Sequence, residues 1–356
     1  MNIGVVGAGI TGTLCALALA EKGHSVKLFE KDHPAKRNGC SVKAAGLLAP
    51  GAELLTGGLV IGEKGLMSLK QWEKLVRSHP LLRDAFYPGG SLYLSLPKHE
   101  ALTRNFYRRC QQMPELANHL KPIKSHEPFE CLAHSPKIFN GYFLEREAHV
   151  HPEKMLRCLS DVLARLGIDC FYERKALRLL PDSIEFENHE THRNFDYVVD
   201  CRGLASGPVM DDLRGVKGEM LQIRTDEPHL ISNPVHFFHE RWPVYMVPMD
   251  QHHVRLGATQ FDSDRGDQIA AGSLFDLLMS PLNVFPWLRD GFVTGLISGL
   301  RPAFQSNRPS IKRVNGVVCV NGLFRYGFLL GPLVAKNLVR FISQQLSDEL
   351  SLGAME

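Results

Sequence analysis

The chain lacks most features that mark a specialised environment. Its 356 residues contain no run of 18 apolar residues, so no membrane-spanning helix is expected. An apolar, strand-like run already begins at residue 3 with no basic region before it, so no secretory signal is expected. The eight cysteines are scattered and never form CxxC, which argues against a thioredoxin-type redox motif or a CxxC zinc module. They read as reduced, mostly buried small residues of a cytoplasmic protein. HExxH is also missing. The sixteen histidines include the close pairs His149/His151, His189/His192, His236/His239 and His252/His253, but none has a third ligand nearby, so no metal site is expected. No basic block stands out and the net charge is only +3, which points away from nucleic acid and membrane surfaces. Repeats and low-complexity tracts are absent. With 44% hydrophobic and 22% charged residues the composition is that of an ordinary globular protein, long enough for two domains or for one with a large insertion.

What is present begins at once. Residues 4–32 read GVVGAGITGTLCALALAEKGHSVKLFEKD. The spacing predicts a buried strand over 3–6, a turn, a helix over 13–22 closed by Gly23, and a second strand over 26–29 ending at Glu30. Gly7, Gly9 and Gly12 form GxGxxG. Gly7 permits the tight turn, Gly9 lets backbone approach a pyrophosphate, and Gly12 lets the helix pack close to the sheet. The helix start offers N–H groups and the positive end of its dipole to an anion. Glu30 can accept hydrogen bonds from ribose hydroxyls. A lone GxGxxG is weak; in this strand–turn–helix–strand setting it predicts dinucleotide binding, with NAD and FAD both open.

Further along, 31–50 is a long polar, then small-residue loop, which makes sense if it runs beside a bound cofactor. An amphipathic helix is expected over 63–78 with Leu66, Leu69, Trp72 and Val76 on one face, and another over 99–110. Residues 114–141 have little periodicity and receive no element. HPEKMLRCLSDVLARLG, from His151, predicts a helix with Pro152 at its first position, Gly167 at its end, and Met155, Leu156, Leu159, Val162, Leu163 and Leu166 on the core face. Residues 216–260 alternate as an antiparallel sheet should, a helix follows at 268–278, and the chain closes with a strand, a glycine turn and a helix over 328–346.

Five stretches together resemble the FAD-dependent amine and amino-acid oxidases of the D-amino-acid oxidase superfamily, and within it the glycine-oxidase branch of the thiamine pathway. They are the opening motif through Glu30, SVKAAGLLAP (41–50), DYVVDCRGLAS (196–206), VYMVPMDQHHVRLGAT (244–259), and GLRPAF (299–304) followed by NGLFRYGFLLGP (321–332). The likeness spans nearly the whole chain and is weakest over 80–145.

The resemblance implies an α/β fold: a Rossmann-like FAD-binding domain (1–75, 150–215 and 300–356) interleaved with an α+β substrate domain (76–149 and 216–299) built on an antiparallel sheet. It implies non-covalent FAD, since no attachment motif accompanies Cys319. Gly7, Ala8, Gly9, Thr11 and Gly12 would cradle the pyrophosphate, with Glu30 and Lys31 at the adenosine ribose. Ser41, Ala44, Ala45 and Gly46 would run beside the pyrophosphate and flavin, Ala176 near the adenine, and Gly203 where the chain passes the cofactor. Arg325, Gly327, Phe328 and Leu329 would offer the final turn and a helix start to the flavin. Arg301, in GLRP, would also border the cofactor and pair with a substrate carboxylate, because a planar guanidinium matches two carboxylate oxygens. Tyr245 would help hold that carboxylate; Arg325, Gln260 and Tyr326 would complete the pocket. The implied reaction is oxidation of a small, glycine-like amino acid or amine to an imine, then a keto acid and ammonia, with oxygen reduced to hydrogen peroxide. A D-amino-acid or secondary-amine dehydrogenase using another acceptor, an accessory flavoprotein acting on a macromolecule, and a binding protein with vestigial FAD stay open, as does a homo-oligomer.

The chain departs from the family at several places. The last turn reads Gly322–Leu323–Phe324–Arg325–Tyr326–Gly327 rather than GHxRNG, Asn307 stands where an acid is usual after GLRP, Gln260 follows GAT, and His151 occupies a common Asp position. These changes bear on substrate choice, because cofactor binding of this kind rests mainly on backbone.

Overall fold

The apolar, β-branched opening run forms strand Asn2–Val6, which pairs in parallel with Ser25–Phe29 on one side and Tyr197–Asp200 on the other. The structure is a computed structural model and describes residues 1–123, 129–132, 141–207, 210, 212–263, 268–346 and 349–356. Among the described residues a seven-stranded sheet runs in the order Leu350–Ser351, Ser310–Val314, Val317–Asn321, Tyr197–Asp200, Asn2–Val6, Ser25–Phe29, Asp169–Phe171. Its centre is parallel and its last two ladders, through Ser310–Val314, are antiparallel.

Helices cover this sheet. The first, Ile10–Ala20, starts three residues before the expected 13. Gly9 supplies an extended N-cap with no side chain of its own, and Ser41 Oγ, from the following loop, accepts the Ile10 N–H at 3.0 Å. The closing helix Gly327–Ser343 packs against Ile10–Ala20 and against Gly58–Ser78, and buried Trp72 donates its indole N–H to Phe328 O at 2.7 Å. Helix Pro152–Arg165 is capped by His151, whose ring accepts the Lys154 N–H. Its Met155, Leu156, Leu159, Val162 and Leu163 are buried as expected, whereas Leu166 lies just past the helix end and is exposed.

The 216–260 alternation forms the expected sheet. Arg214–Arg224 pairs antiparallel with Phe292–Ala303 along its length and with His253–Gly257, which continues through Val244–Pro248 and Val235–Phe237. The sheet then takes in Ser91–Leu94 by a parallel pairing, followed by Gly141–Leu144 and Leu120–Ile123. Helix Ala271–Val284 packs on it. The stretch without periodicity contains the short helix Pro114–Ala117 and Leu120–Ile123; its residues 124–128 and 133–140 lie outside the described set. The meander Ala176–Leu179, Ile184–Phe186, Thr191–His192 is a small separate sheet. No helix among the described residues is long and apolar enough to cross a membrane.

One ion pair is built into this second sheet. Successive strand residues face opposite sides, so Lys217 and Glu219 point away from the face that carries Gly218 and Met220. They meet at 2.8 Å with both side chains buried, and Glu219 also accepts Thr259 Oγ1–H and the Ala270 N–H. Removing one member leaves the other charge buried and unpaired. Glu219→Ala is therefore expected to lower unfolding free energy by about 3–5 kcal/mol, seen as a lower urea midpoint at unchanged slope; a midpoint equal to wild type would show that the pair contributes nothing.

Candidate active site

A cavity of about 840 Å³ lies between the two sheets, within the roughly 300–1,000 Å³ usual for small-molecule and cofactor sites. Of the residues singled out from the sequence, Gly7, Ala8, Gly9, Thr11, Glu30, Lys31, Ser41, Ala44, Ala45, Gly46, Ala176, Gly203, Tyr245, Gln260, Arg301, Arg325, Gly327, Phe328 and Leu329 line it. Two are not part of the wall. Gly12 is buried against the turn: a Cβ there would fall 1.8 Å from Gly7 O, so it lets the helix approach rather than meeting a ligand. Tyr326 is only 3% exposed and turns its ring edge-on to Phe324, behind the wall.

The glycine-turn end is rigid and polar. Gly7 has φ +102°, and its N–H donates to Phe29 O. Glu30, placed by the end of Ser25–Phe29, accepts the Ala8 N–H at 2.6 Å and the Asp32 N–H at 3.0 Å. The loop beside it is tied down by a residue not singled out from the sequence. Buried Arg255 donates to Ala44 O at 2.8 Å and pairs with Glu153, fastening 42–44 to the second sheet. Asp200 holds the backbone and guanidinium of Arg202, and Asn321 donates to Gly203 O, so the Gly203 turn is fixed to strand Val317–Asn321. Across the cavity, Gly327, Phe328 and Leu329 open the closing helix, and their N–H groups have no acceptor among the described residues. Two helix starts thus face the cavity, a setting that favours negative charge. A glycine turn with close backbone, an acid at the ribose position and a long cavity walled by small residues fit FAD.

The other end carries the ionic groups. Arg301, on Phe292–Ala303, donates from Nη1 to Lys217 O at 3.3 Å and Thr259 O at 3.2 Å, and has no acid partner among the described residues. Burial holds its pKa below the usual guanidinium value, with neighbouring Tyr245 acting the other way. Gly218 makes room for it: a Cβ there would lie 2.1 Å from Arg301 Nη2. The sequence signal was a glycine inside a strand pattern. The Tyr245 hydroxyl meets Met220 Sδ at 3.6 Å and no other hydrogen-bond partner among the described residues, and burial raises its pKa. Gln260 is exposed, at the rim. Arg325 is neutralised: Glu53 takes its Nε at 2.9 Å and also Nη2, and Thr56 Oγ1 accepts from Nη2 at 2.6 Å. Burial is the largest single influence and works against its charge, but Glu53, Tyr326 and Tyr245 together hold its pKa above the usual value. The acid missing after GLRP is replaced by Asn307, whose side-chain oxygen accepts from Arg214 at 2.8 Å.

His236 also lines the cavity. It pairs across strands with Tyr245 and Tyr93 and stacks on Tyr93 at 4.6 Å. Tyr93 in turn donates to buried Glu147 at 2.9 Å.

With this geometry in place, comparison with known proteins identifies the class. The model of the family described as FAD dependent oxidoreductase matches residues 2–340, and the chain belongs to that family. It is an FAD-dependent enzyme. The chain is 32% identical over 343 residues to the putative thiamine biosynthesis oxidoreductase ThiO of Rhizobium etli, covering 96% of each chain. It is 24% identical to the glycine oxidase of Bacillus licheniformis, covering 95% of this chain and 92% of that protein. The crystal structure of glycine oxidase from Geobacillus kaustophilus superposes with a TM-score of 0.81 at 20% identity, over 96% of this chain and 94% of the other, which shows the shared fold.

The His236–Tyr93–Glu147 stack predicts a pH signature. Burial, and then the charge of Arg325, lowers the His236 pKa from 6.5 to about 3. Between those values the unfolded chain binds a proton that the fold refuses, so stability falls on acidification. Burial raises Glu147 from 4.5 to about 7. There the fold keeps a proton that the unfolded chain releases, so stability falls as pH rises. Each slope is about 1.4 kcal/mol per pH unit, and they oppose one another where the windows overlap. Glu147→Gln removes one of them. From pH 6.5 to 4.5 the variant should lose about 1.4 kcal/mol per unit more than wild type, measured by urea unfolding; parallel curves would contradict the assignment.

Proposed function

We propose that the protein oxidises a small α-amino acid or amine of glycine's class, with oxygen as electron acceptor. The observation that carries this is Arg301: a half-buried guanidinium with no acid partner among the described residues, held by two carbonyls, on the wall of the cavity that also contains the glycine turn. A cation lining a cavity in this state is matched by an anionic ligand, and the fork geometry suits a carboxylate. The names of the relatives, a thiamine biosynthesis oxidoreductase and glycine oxidases, support the same substrate class.

In this reading Gly7, Ala8, Gly9 and Thr11 carry the pyrophosphate, with Gly12 setting the approach of the helix behind them. Glu30 and Lys31 serve the ribose, Ala176 the adenine end, and Ser41, Ala44, Ala45, Gly46 and Gly203 the length of the cofactor. Gly327, Phe328 and Leu329 present a helix start to the flavin, with Arg325 at its side. The unit with the parallel sheet (1–75, 150–215, 300–356) holds FAD, and 76–149 with 216–299 forms the substrate side. Bound FAD supplies the acceptor for the hydride leaving Cα. Arg301 and Tyr245 fix the carboxylate so that Cα–H is aligned, which is orientation rather than acid–base catalysis. The substrate becomes an imine, water converts that to a keto acid and ammonia, and the two electrons reduce oxygen to hydrogen peroxide. All eight cysteines are free thiols, which fits a cytoplasmic setting.

The test is anaerobic mixing of the yellow holoprotein with glycine, sarcosine and D-alanine. Bleaching of the flavin bands, then peroxide on admitting air, is expected; a flavin that none of them reduces would overturn the proposal. Arg301→Ala should keep its flavin but raise the amino-acid KM by the roughly 30- to 5,000-fold that corresponds to about 2–5 kcal/mol for a buried charged pair. Unchanged kinetics would remove Arg301 from the carboxylate site.

A further inference from the structure

Glu53 is a carboxylate on the cavity wall with no part in holding the cofactor or the carboxylate. It stands on the single turn Ala52–Leu55, which is fixed at both ends: Gly51 N–H donates to Glu147 Oε1 at 2.8 Å, and Gly57 N–H donates to Glu53 O at 2.7 Å. One oxygen is fully engaged, since Oε2 takes Arg325 Nε, Arg325 Nη2 and, at 3.4 Å, the Thr56 hydroxyl. Oε1 has no hydrogen-bond partner among the described residues. The other acids on the wall, Glu30 and Asp32, stand at the glycine-turn end. Glu53 instead shares its end with Arg301 and Tyr245, close enough that its charge acts on both, favouring the cation of the first and opposing ionisation of the second.

An α-amino acid carries its carboxylate and its nitrogen on one carbon. A site that grips the carboxylate with a guanidinium meets the nitrogen a few ångströms away, and an N–H there needs an acceptor once water is excluded. We propose that Glu53 Oε1 receives an N–H of the substrate's amino group. The site then selects ligands with a carboxylate and an N–H-bearing nitrogen on the same carbon over simple carboxylates. Discrimination of this kind is strong because the matching polar group is otherwise left buried and unpaired. Arg325 holds Glu53 ionised and pointed, and so acts as a positioning residue. The inference rests on the assignment of Arg301 to the carboxylate.

The test compares glycine with acetate, which differ by the amino group alone, on the FAD-loaded wild type, Glu53→Gln and Glu53→Asp. Acetate affinity is read from perturbation of the flavin spectrum and glycine from KM, with melting temperature recorded for each protein. Glu53→Gln should raise the glycine KM roughly 10- to 100-fold, the scale of a hydrogen bond to a charged group. It should leave acetate unchanged or tighter, because Arg325 loses its neutralising partner. Glu53→Asp, which keeps the charge, should fall between. A ligand-side measurement needs no variant: trimethylglycine has the carboxylate and a cationic nitrogen but no N–H, and should bind wild type no tighter than acetate. Equal weakening of glycine and acetate in Glu53→Gln, an unchanged glycine KM, or trimethylglycine binding as well as glycine would each remove Glu53 from amine recognition while leaving Arg301 in place. If acetate fails to perturb the wild-type flavin, the carboxylate assignment falls and the Glu53 inference with it.

Discussion

A half-buried guanidinium, Arg301, with no carboxylate partner among the described residues is the constraint that organises one end of this molecule. Such a charge is costly to maintain, and the fold surrounds Arg301 with what lowers that cost. Lys217 O and Thr259 O accept from it. Gly218 leaves the space its planar group fills. Thr259 is held in turn by Glu219, through its own N–H, its hydroxyl and the Glu219 N–H. The buried Lys217–Glu219 pair, on the reverse face of the same strand, therefore fixes the carbonyls that hold Arg301. None of these partners carries a formal negative charge that reaches the guanidinium, so its demand for an anion is directed into the cavity.

The opposite end solves a different problem with different means. There the helix start at Ile10 offers backbone rather than side-chain cations to negative charge, and in the proposed reading Glu30 meets ribose hydroxyls. Side-chain cations would bind an anion at either end, but a guanidinium is selective for a planar carboxylate and backbone N–H groups suit a diphosphate threaded close to the chain. In the proposed reading this division would keep a small zwitterion and a large dinucleotide from competing for the same groups.

How much of this the sequence disclosed depends on the range of each interaction. The glycine turn, the acid at its far strand and the capped helix at 152–165 are set by neighbours within about 25 positions, and their residues carry the signal directly. The start of the first helix was misplaced because its cap comes from Ser41, thirty-one residues away. Arg255, Glu53 and Gly218 act only across strands or between loops, so single-sequence patterns give them no mark beyond a glycine in a strand. Gly12 was read correctly as a packing residue and too generously as a ligand contact. The parallel pairing of Ser91–Leu94 with Val235–Phe237 joins two distant segments and was invisible to an alternation pattern that fits either direction.

The final turn shows how a departure from a family pattern reshapes a site from behind. Leu323, Phe324 and Tyr326 are all buried, but only Tyr326 stands behind the wall; Leu323 and Phe324 present apolar side chains to the cavity itself. Phe324 takes φ +51° and donates its N–H to Pro302 O, next to Arg301, which ties the turn to the proposed carboxylate site. Tyr326 packs its hydroxyl side against Gly57, where a Cβ would come within 3.0 Å of the oxygen, and so holds the turn that carries Glu53 close to the turn that carries Arg325. The ion pair between those two residues bridges the same two turns. In the proposed reading, altering Tyr326 would act on the substrate through that pair, so that a residue outside the wall can still influence what the wall admits.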